Sequence, residues 1–372
     1  MKSEKISAFL KERIEAKDFP SAVYLVAEMG EIVLQDAIGF AALEPGKIAA
    51  KIDTIYDLAS LTKPLVTGLL CAKLIEKNEI NLTDKIAKYF DEFDTNEKRE
   101  ITIENLLTHT SGFTAWLPFY SIADSRLQIP HLIASQPLAA KINERIVYSD
   151  LNFLILTFLL EKIYGETLDK IAQKEIFAPL GLNETFYNPP KKLQKRIAAS
   201  EEGNLFEKQL AAEIGFAEKE SERPKSKIHN RTSVHDGNAA FMNGVSGHAG
   251  LFSTTFETFK IARQFLAEET VLLKPETCRL FRTNFTRDLN EARSIAFQLA
   301  ETENSTASSG LSKDSFGHLG FTGTALWIEP QTERIFILLT NRTHARRLPF
   351  ANINSVRRDF NAIASRILNA RR

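Results

Sequence analysis

The sequence predicts an α+β fold whose antiparallel β-sheet is built from the two ends of the chain and flanked by helices. β-Branched and aromatic residues concentrate near both termini, whereas the middle of the chain has apolar residues at helical three- and four-residue spacing. Because an isolated hairpin is not stable, the N-terminal strands need partners, which must come from the C-terminal segments. The predicted strands cover residues 21–28, 31–40, 294–300, 317–328 and 334–340.

The predicted helices begin with an amphipathic segment from Ser3 to Ala16 and end with another from Ile353 to Leu368. The most apolar run, Leu151 to Leu160, is too short to span a bilayer and is flanked by Asp150 and Glu161, so we interpret it as a core helix. The helices predicted between these ends cover residues 60–77, 83–90, 102–108, 149–164 and 167–176.

This pattern divides the chain into two parts. Residues 1–59 and 241–372 form the predicted sheet domain, and residues 60–240 form an inserted, mainly helical subdomain. Residues 190–235 are rich in Lys, Glu, Ser and Asn, which fits either a long surface excursion or a partly disordered loop.

Charge and cysteine content exclude several classes of protein. Lys plus Arg and Asp plus Glu both number 47 among 372 residues, so no basic excess favours nucleic acid or an anionic membrane as a partner. Cys71 and Cys278 are expected to be buried thiols, with a single disulfide as the alternative. No hydrophobic signal region follows Met1 and no transmembrane segment is predicted. The chain as written is therefore expected to be cytoplasmic, or periplasmic if a signal peptide has been removed, and the sequence predicts no oligomeric state.

The segment 57–68 carries the first chemical motif. Ser60 and Lys63 stand in an S-x-x-K spacing at a predicted helix start, and residues three apart share a helix face, so Lys63 would lie beside the serine hydroxyl. The unpaired N–H groups of a first helical turn would favour an oxyanion there. The same spacing also fits a capping serine with an exposed lysine, and about one or two chance matches are expected in a chain of this length.

Two further segments become informative together with Ser60. Tyr148-Ser149-Asp150 directly precedes the apolar core helix, where a tyrosine is more often a packing residue than a catalytic one. The glycines of residues 316–324 interrupt a strand pattern, which indicates close approach of the backbone to a ligand or packing against a helix.

In this order, Ser60-Leu61-Thr62-Lys63, Tyr148-Ser149-Asp150 and His318-Leu319-Gly320 resemble the three motifs of the penicillin-recognising serine hydrolases. This superfamily includes class C β-lactamases, D,D-carboxypeptidases, other penicillin-binding proteins and related esterases. The resemblance covers nearly the whole chain and implies a serine hydrolase that needs no cofactor. Further segments that carry it are residues 106–112, 244–253 and 338–342.

The resemblance also implies roles for individual residues. Ser60 would be the acylated nucleophile, Lys63 would accept or relay its proton, and Tyr148 would be the general base or the acid that protonates the leaving group. A free tyrosine has a pKa near ~10, so a basic role requires Lys63 and other cations beside the phenol. The backbone N–H groups of Ser60 and Phe321 would form the oxyanion hole, and His318, Gly320 and Asp150 would line the substrate site.

Two positions depart from the usual motifs. Asp150 stands where an asparagine is usual, and an ionised aspartate accepts hydrogen bonds without donating any, although it would help to keep Lys63 charged. Leu319 stands where a threonine is usual, so it offers no hydroxyl to a substrate carboxylate; Thr322, Thr324 and Arg342 are the alternative donors. With an ordinary pKa near ~6.5, His318 would gain charge on acidification. These departures favour an esterase or peptidase over a β-lactamase.

The histidines at 229, 235 and 248, together with Asp236, match no metal-binding spacing. We therefore predict that they make structural hydrogen bonds and that the protein holds no metal.

These observations predict a serine hydrolase that acts by acyl transfer through a Ser60 acyl-enzyme. The expected substrates are small esters or D-alanyl muropeptides, with weak β-lactam hydrolysis as a side activity. The alternative is a catalytically weak penicillin-binding sensor or binding protein of the same fold, against which the presence of Ser60, Lys63 and Tyr148 argues.

Overall fold

The computed structural model describes residues 1–216 and 231–371. Within the predicted excursion at 190–235, residues 217–230, including His229, therefore lie outside the described chain. The described residues form ten strands: β1 (Ser21–Glu28), β2 (Glu31–Ala42), β3 (Ile48–Ala49), β4 (Tyr56–Asp57), β5 (Phe186–Tyr187), β6 (Leu251–Ser253), β7 (Gln298–Leu299), β8 (Phe316–Leu319), β9 (Ala325–Glu329) and β10 (Arg334–Thr340).

The same residues form eleven α-helices, several of them short. They are α1 (Glu4–Glu15), α2 (Leu69–Glu76), α3 (Ile103–Thr108), α4 (Phe119–Ile122), α5 (Ile129–Ser135), α6 (Asp150–Tyr164), α7 (Leu168–Ala172), α8 (Leu205–Glu213), α9 (Gly237–Phe241), α10 (Thr255–Ala262) and α11 (Asn354–Asn369). No helix in the described ranges is long and apolar enough to cross a membrane.

The main sheet joins the two ends of the chain, which confirms the predicted α+β fold. Its order is β3-β2-β1-β10-β9-β8-β7, and every neighbouring pair is antiparallel. The central pair places Leu25 of β1 opposite Ile337 of β10. Alternate side chains of β1 enter two different hydrophobic clusters, with Leu25 on one face and Tyr24 on the other. Burial on both faces explains why β1 reads as a continuous apolar run.

Two strand predictions need correction. The segment 317–328 is not one strand, because β8 and β9 are separated by a tight turn in which Gly320 N–H bonds to Thr324 O at 2.8 Å. Of the segment 294–300, only Gln298–Leu299 is strand. The small sheet β4-β6-β5 was not predicted, since strands of two or three residues show no measurable alternation.

The segment 60–77, predicted as one helix, consists of three successive helical pieces of different type. Ala59–Leu61 is a 3₁₀ turn, Lys63–Gly68 is a π-helix, and α2 follows. The helix predicted at 83–90 is wrong, because only Ile86–Lys88 forms a 3₁₀ turn. There Ile86 N–H bonds to Ile101 O and ties the segment to an extended neighbour. Both cysteines are buried free thiols, as expected.

Candidate active site

A strained residue places Ser60 at the edge of a cavity. Ala59 has φ +49°, a left-handed conformation that costs a non-glycine residue about 1–3 kcal/mol. The Asp57 carboxylate helps to hold it by accepting a hydrogen bond from Ala59 N–H at 2.9 Å. Ser60 lies in the 3₁₀ turn that contains Ala59, and Lys63 begins the π-helix after it and reaches back to Ser60. The sequence predicted this contact but not the strained residue that precedes it.

Lys63 is fully buried, and its ammonium group lies among polar partners. Its Nζ donates to Ser60 Oγ at 3.0 Å and to His248 O at 3.0 Å, and it lies 2.6 Å from Asp150 Oδ1. Burial disfavours the charge of Lys63, but the Asp150 carboxylate and the Tyr148 phenol outweigh this effect and raise its pKa. Lys63 is therefore an ammonium group that donates to the serine hydroxyl.

Tyr148 lies among cationic and aromatic groups just before α6. Lys63 Nζ is 5.1 Å and Arg293 Cζ is 5.3 Å from the centre of the phenol ring. The ring of His109 packs against the same phenol at 4.5 Å, and the ring of His318 lies at 5.8 Å. The two cations supply the positive surroundings that a basic tyrosine requires.

His109 is a site residue whose role the sequence did not indicate. Its Nδ1 accepts a hydrogen bond from Ser149 N–H at 3.1 Å, so it anchors the loop that carries Tyr148. Burial, together with the charges of Arg293 and Lys63, lowers the pKa of His109 well below its ordinary value. His109 is therefore a neutral ring that supports the phenol without adding charge.

The β8–β9 turn is fastened to the segment that precedes Ser60. Thr322 Oγ1 donates to Asp57 O at 2.7 Å, and Thr324 Oγ1 donates to Leu58 O at 2.9 Å. A Cβ at Gly320 would lie only 2.6 Å from Leu58 O, so only glycine fits there. The two threonines are therefore committed to backbone carbonyls and do not replace the hydroxyl that Leu319 lacks.

Phe321 N–H, next in this turn, is a candidate oxyanion donor. Among the residues that the structure describes, this N–H has no hydrogen-bond partner. The Phe321 side chain stacks against the ring of His235 at 5.4 Å and packs on Phe206 at 4.7 Å. Arg342 binds Phe321 O at 2.7 Å and Ala351 O at 2.6 Å, so this guanidinium is engaged with the backbone.

The expectation for His318 needs correction, because the ring is buried. Burial, with the charges of Lys63 and Arg293, lowers the pKa of His318 well below 6.5. Its Nδ1 bonds to Leu319 O at 2.9 Å and must donate there, so Nε2 carries the lone pair. Nε2 has no partner in the described part of the chain. Mild acidification therefore leaves His318 neutral.

Arg293 is a second site residue that sequence reasoning missed. The side chain is 6% exposed, and its Nε and Nη2 bind Glu291 Oε2 at 3.0 and 2.7 Å. The remaining nitrogen, Nη1, is buried and has no partner among the described residues. Arg293 also lines the cavity, so the Arg293–Glu291 pair places a guanidinium group next to the Tyr148 phenol.

The predicted histidine cluster separates into two ion pairs. His248 Nε2 lies 2.9 Å from Asp236 Oδ1, and His235 Nε2 lies 2.9 Å from Glu201 Oε2. Burial opposes charge on both rings, but the paired carboxylates outweigh it and raise the pKa of each histidine. Asp150, Asp236 and His248 approach one another closely enough to hold an ion. The Lys63 ammonium already lies against Asp150, and the absence of a metal stays a prediction.

These groups surround a cavity of about 460 Å³. Helix α8 supplies an unpredicted wall through Phe206, Glu207 and Leu210. Burial and the charge of nearby Asp236 raise the pKa of Glu207 to about 7. Six of the seven predicted site residues line this cavity, namely Ser60, Tyr148, Asp150, His318, Gly320 and Phe321, and Lys63 lies directly behind Ser60.

Comparison with known proteins identifies the family. The β-lactamase family model matches residues 6–356. A protein of Escherichia coli strain K12, provisionally named D-alanyl-D-alanine carboxypeptidase, is 30% identical over 353 residues, which cover 88% of this chain and 79% of that protein.

Solved structures show the same fold at low sequence identity. A class C β-lactamase from Rhodobacter sphaeroides has a TM-score of 0.73 at 17% identity and covers 98% of this chain and 100% of its own. EstCE1, described as a hydrolase with promiscuous acyltransferase activity, has a TM-score of 0.74 at 19% identity, covering 96% of this chain and 97% of its own. The chain belongs to the β-lactamase family and is a serine hydrolase.

Proposed function

We propose that this protein hydrolyses esters or D-alanyl peptides by acyl transfer through an ester on Ser60. The observation that carries the proposal is the contact of Ser60 Oγ with the Lys63 ammonium, which lies against Asp150 and beside Tyr148. An alcohol nucleophile, a cation that stabilises negative charge and a neighbouring phenol are the components that acyl transfer needs.

Tyr148, rather than Lys63, is the proposed base. A charged lysine has no lone pair with which to accept a proton, and the Asp150 carboxylate keeps Lys63 charged. The proposed mechanism uses Tyr148 as a phenolate, and the Lys63 and Arg293 cations lie 5.1 and 5.3 Å from the centre of its ring. Lys63 then acts by stabilising negative charge on Tyr148 and on the attacking oxygen of Ser60.

In the proposed reaction the Tyr148 phenolate takes the Ser60 proton while Ser60 Oγ forms a bond to the substrate carbonyl carbon. The carbonyl π electrons move onto oxygen, where the N–H groups of Ser60 and Phe321 bind the oxyanion. Collapse breaks the bond to the leaving alkoxide or amine, which receives the proton from Tyr148. Water then attacks the ester and gives its proton to Tyr148, which returns it to Ser60 Oγ as the acid departs.

Arg293 supports the D-alanyl part of the proposal. A D-alanyl leaving group carries a carboxylate, and it must lie near Tyr148, the group that protonates it. Arg293 contacts the ring of Tyr148 and its Nη1 has no partner among the described residues, whereas Arg342 is engaged with backbone carbonyls. Charge-assisted hydrogen bonds from arginine are among the stronger polar interactions available for such a carboxylate.

The test measures turnover of p-nitrophenyl acetate and N-acetyl-D-alanyl-D-alanine by the wild type and by Ser60→Ala. Ser135→Ala, an exposed serine on α5, is the matched control. We expect many turnovers of at least one substrate by the wild type and the control, and none above background by Ser60→Ala. Release of one equivalent followed by arrest would instead favour the sensor function, and equal turnover by Ser60→Ala would refute the proposal.

A further inference from the structure

Glu207 is a buried carboxylate in the same cavity as Ser60. It is the third residue of α8, and Phe206 beside it packs on the rings of Phe321 and Phe350 at 4.7 and 5.9 Å. This contact fixes the start of α8 against the turn that carries the candidate oxyanion donor. Glu207 is 5% exposed and lines the cavity.

The carboxylate of Glu207 forms no direct ion pair among the described residues. Asp150 and Asp236, two other carboxylates of the cavity wall, are paired with Lys63 and His248. The two oxygens of Glu207 accept hydrogen bonds from Gly237 N–H at 2.9 and 3.1 Å and from the Asn204 side chain, and the charge of His235 attracts the carboxylate. His235 itself is paired with Glu201, so Glu207 shares this cation with another carboxylate.

The surroundings of Glu207 favour a cationic ligand. Burial and repulsion by Asp236 disfavour the ionised carboxylate more than His235, Gly237 and Asn204 favour it, which is why the pKa of Glu207 is raised to about 7. A ligand that brings positive charge and N–H donors would remove both costs. Asp150, the usual position of an asparagine donor, offers no N–H to a substrate amide carbonyl. The side chains that this part of the cavity presents therefore match an amine better than an N-acyl group.

Arg293 and Glu207 both line the cavity but contact different groups. Arg293 lies beside Tyr148, on the side where the leaving group receives its proton. Glu207 contacts Gly237 and lies next to Phe206, which packs on Phe321, and it shares no contact with Tyr148 or Arg293. Glu207 therefore lies where the acyl half of a substrate extends beyond the oxyanion donor.

We propose that Glu207 is a specificity-determining residue that binds a protonated amine on the acyl half of the substrate. The preferred substrates are then esters or amides of amino acids whose amino group is free. This inference rests on the proposed function, because it assigns the substrate class of the same site. A purely structural role, in which Glu207 only holds Gly237, is the alternative that the experiment must separate.

The first experiment compares kcat/KM at pH 7 for D-alanine methyl ester and methyl isobutyrate, which differ only in an ammonium group against a methyl group. Because the two esters differ in intrinsic reactivity, the informative quantity is the change in their kcat/KM ratio between variants. Glu207→Gln should lower the ratio at least about tenfold, the loss typical of a charge-assisted hydrogen bond. Glu207→Asp, which keeps the charge, should recover part of it, and Glu213→Gln, an exposed change on the same helix, should leave it unchanged.

The second experiment measures binding without turnover. Calorimetry compares D-alaninamide with isobutyramide, using Ser60→Ala and Ser60→Ala/Glu207→Gln. We expect at least about tenfold tighter binding of the amine by the single variant, and loss of this preference in the double variant. Equal binding of the two amides, or an equal loss of both activities in Glu207→Gln, would overturn the proposal. Absence of turnover with every ester would refute the proposed function, while the binding result would still decide the role of Glu207.

Discussion

Lys63 Nζ lies 2.6 Å from Asp150 Oδ1 and 3.0 Å from Ser60 Oγ, so one buried ammonium joins the aspartate to the candidate nucleophile. The Asp150 carboxylate helps to raise the pKa of Lys63 and so favours its charged form, which is why the proposed mechanism gives the proton transfers to Tyr148. The S-x-x-K motif alone leaves open whether the lysine acts as a neutral base or as a charged ammonium group. Removing the Asp150 carboxylate distinguishes the two mechanisms, because a lower pKa of Lys63 favours a neutral base and disfavours a charged ammonium group.

Asp150→Asn should lower the pKa of Lys63, because it removes the carboxylate that raises it. If activity requires charged Lys63, the alkaline limb of the kcat/KM profile moves to lower pH. The measurement is ester hydrolysis between pH 5.5 and 9.5, with Asp359→Asn on the exposed face of α11 as control. If Lys63 were instead the base, the acidic limb would move to lower pH, and activity would extend into acid.

Tyr148→Phe should lower kcat/KM for an ester at least about a hundredfold, the contribution typical of general acid–base catalysis. The ring and its packing against His109 remain, so the thermal midpoint should stay close to that of the wild type. Tyr164→Phe removes a hydroxyl that has no partner among the described residues, and it serves as the control for loss of a phenol. Near-wild-type turnover by Tyr148→Phe would mean that another group is the base.

Arg293→Gln should weaken carboxylate-bearing substrates selectively, because it removes the cation beside Tyr148. Loss of a charge-assisted hydrogen bond of about 1.5–3 kcal/mol corresponds to roughly a 10- to 150-fold lower kcat/KM for N-acetyl-D-alanyl-D-alanine. The kcat/KM of p-nitrophenyl acetate should fall much less, and the exposed Arg279→Gln should change neither. An equal loss of kcat/KM for both substrates would indicate that Arg293 only positions the Tyr148 ring.

Leu319→Thr should improve acylation by a β-lactam more than cleavage of a neutral ester, because it restores a hydroxyl that Thr322 and Thr324 do not supply. A well-placed hydrogen bond contributes about 0.5–1.5 kcal/mol, or roughly two- to tenfold in the efficiency ratio. In the wild type we expect neutral esters to be preferred over carboxylate-bearing β-lactams at pH 7.5.

The same efficiency ratio also tests the state of His318. Burial lowers the pKa of His318 well below 6.5, so the ring gains no charge between pH 7.5 and pH 6. The preference for neutral esters over β-lactams should therefore not narrow across this interval. If the preference for neutral esters does narrow in the wild type and this narrowing disappears in His318→Asn, the pKa of His318 lies near its ordinary value.

The sequence predicted the elements whose signals are long or chemically distinctive. The bounds of strand β10 were predicted correctly because it contains five consecutive apolar residues, 335–339, and all seven of its residues are buried. The helix around Leu151–Leu160 was predicted because its run is continuous. Ser60, Lys63 and Tyr148 were named because their residue types and order match a known constellation, and the structure brings them together.

The parts that were missed depend on contacts between segments far apart in sequence. Arg293 and Glu207 carry no motif, and each becomes informative only when its partners and the cavity are known. The strained backbone at Ala59 has no residue-type signal, since alanine is not typical of a left-handed conformation. The neutral state of His318 follows from burial and from the charges of Lys63 and Arg293, which the sequence does not place beside it.

The most direct test of the central claim is the mass of the protein after reaction with a fluorophosphonate, followed by peptide mapping. We predict that the wild type and Ser135→Ala gain one reagent mass on the peptide that contains Ser60, and that Ser60→Ala gains none. Labelling that persists in Ser60→Ala, or that maps to another serine in the wild type, would contradict the assignment of Ser60 as the nucleophile.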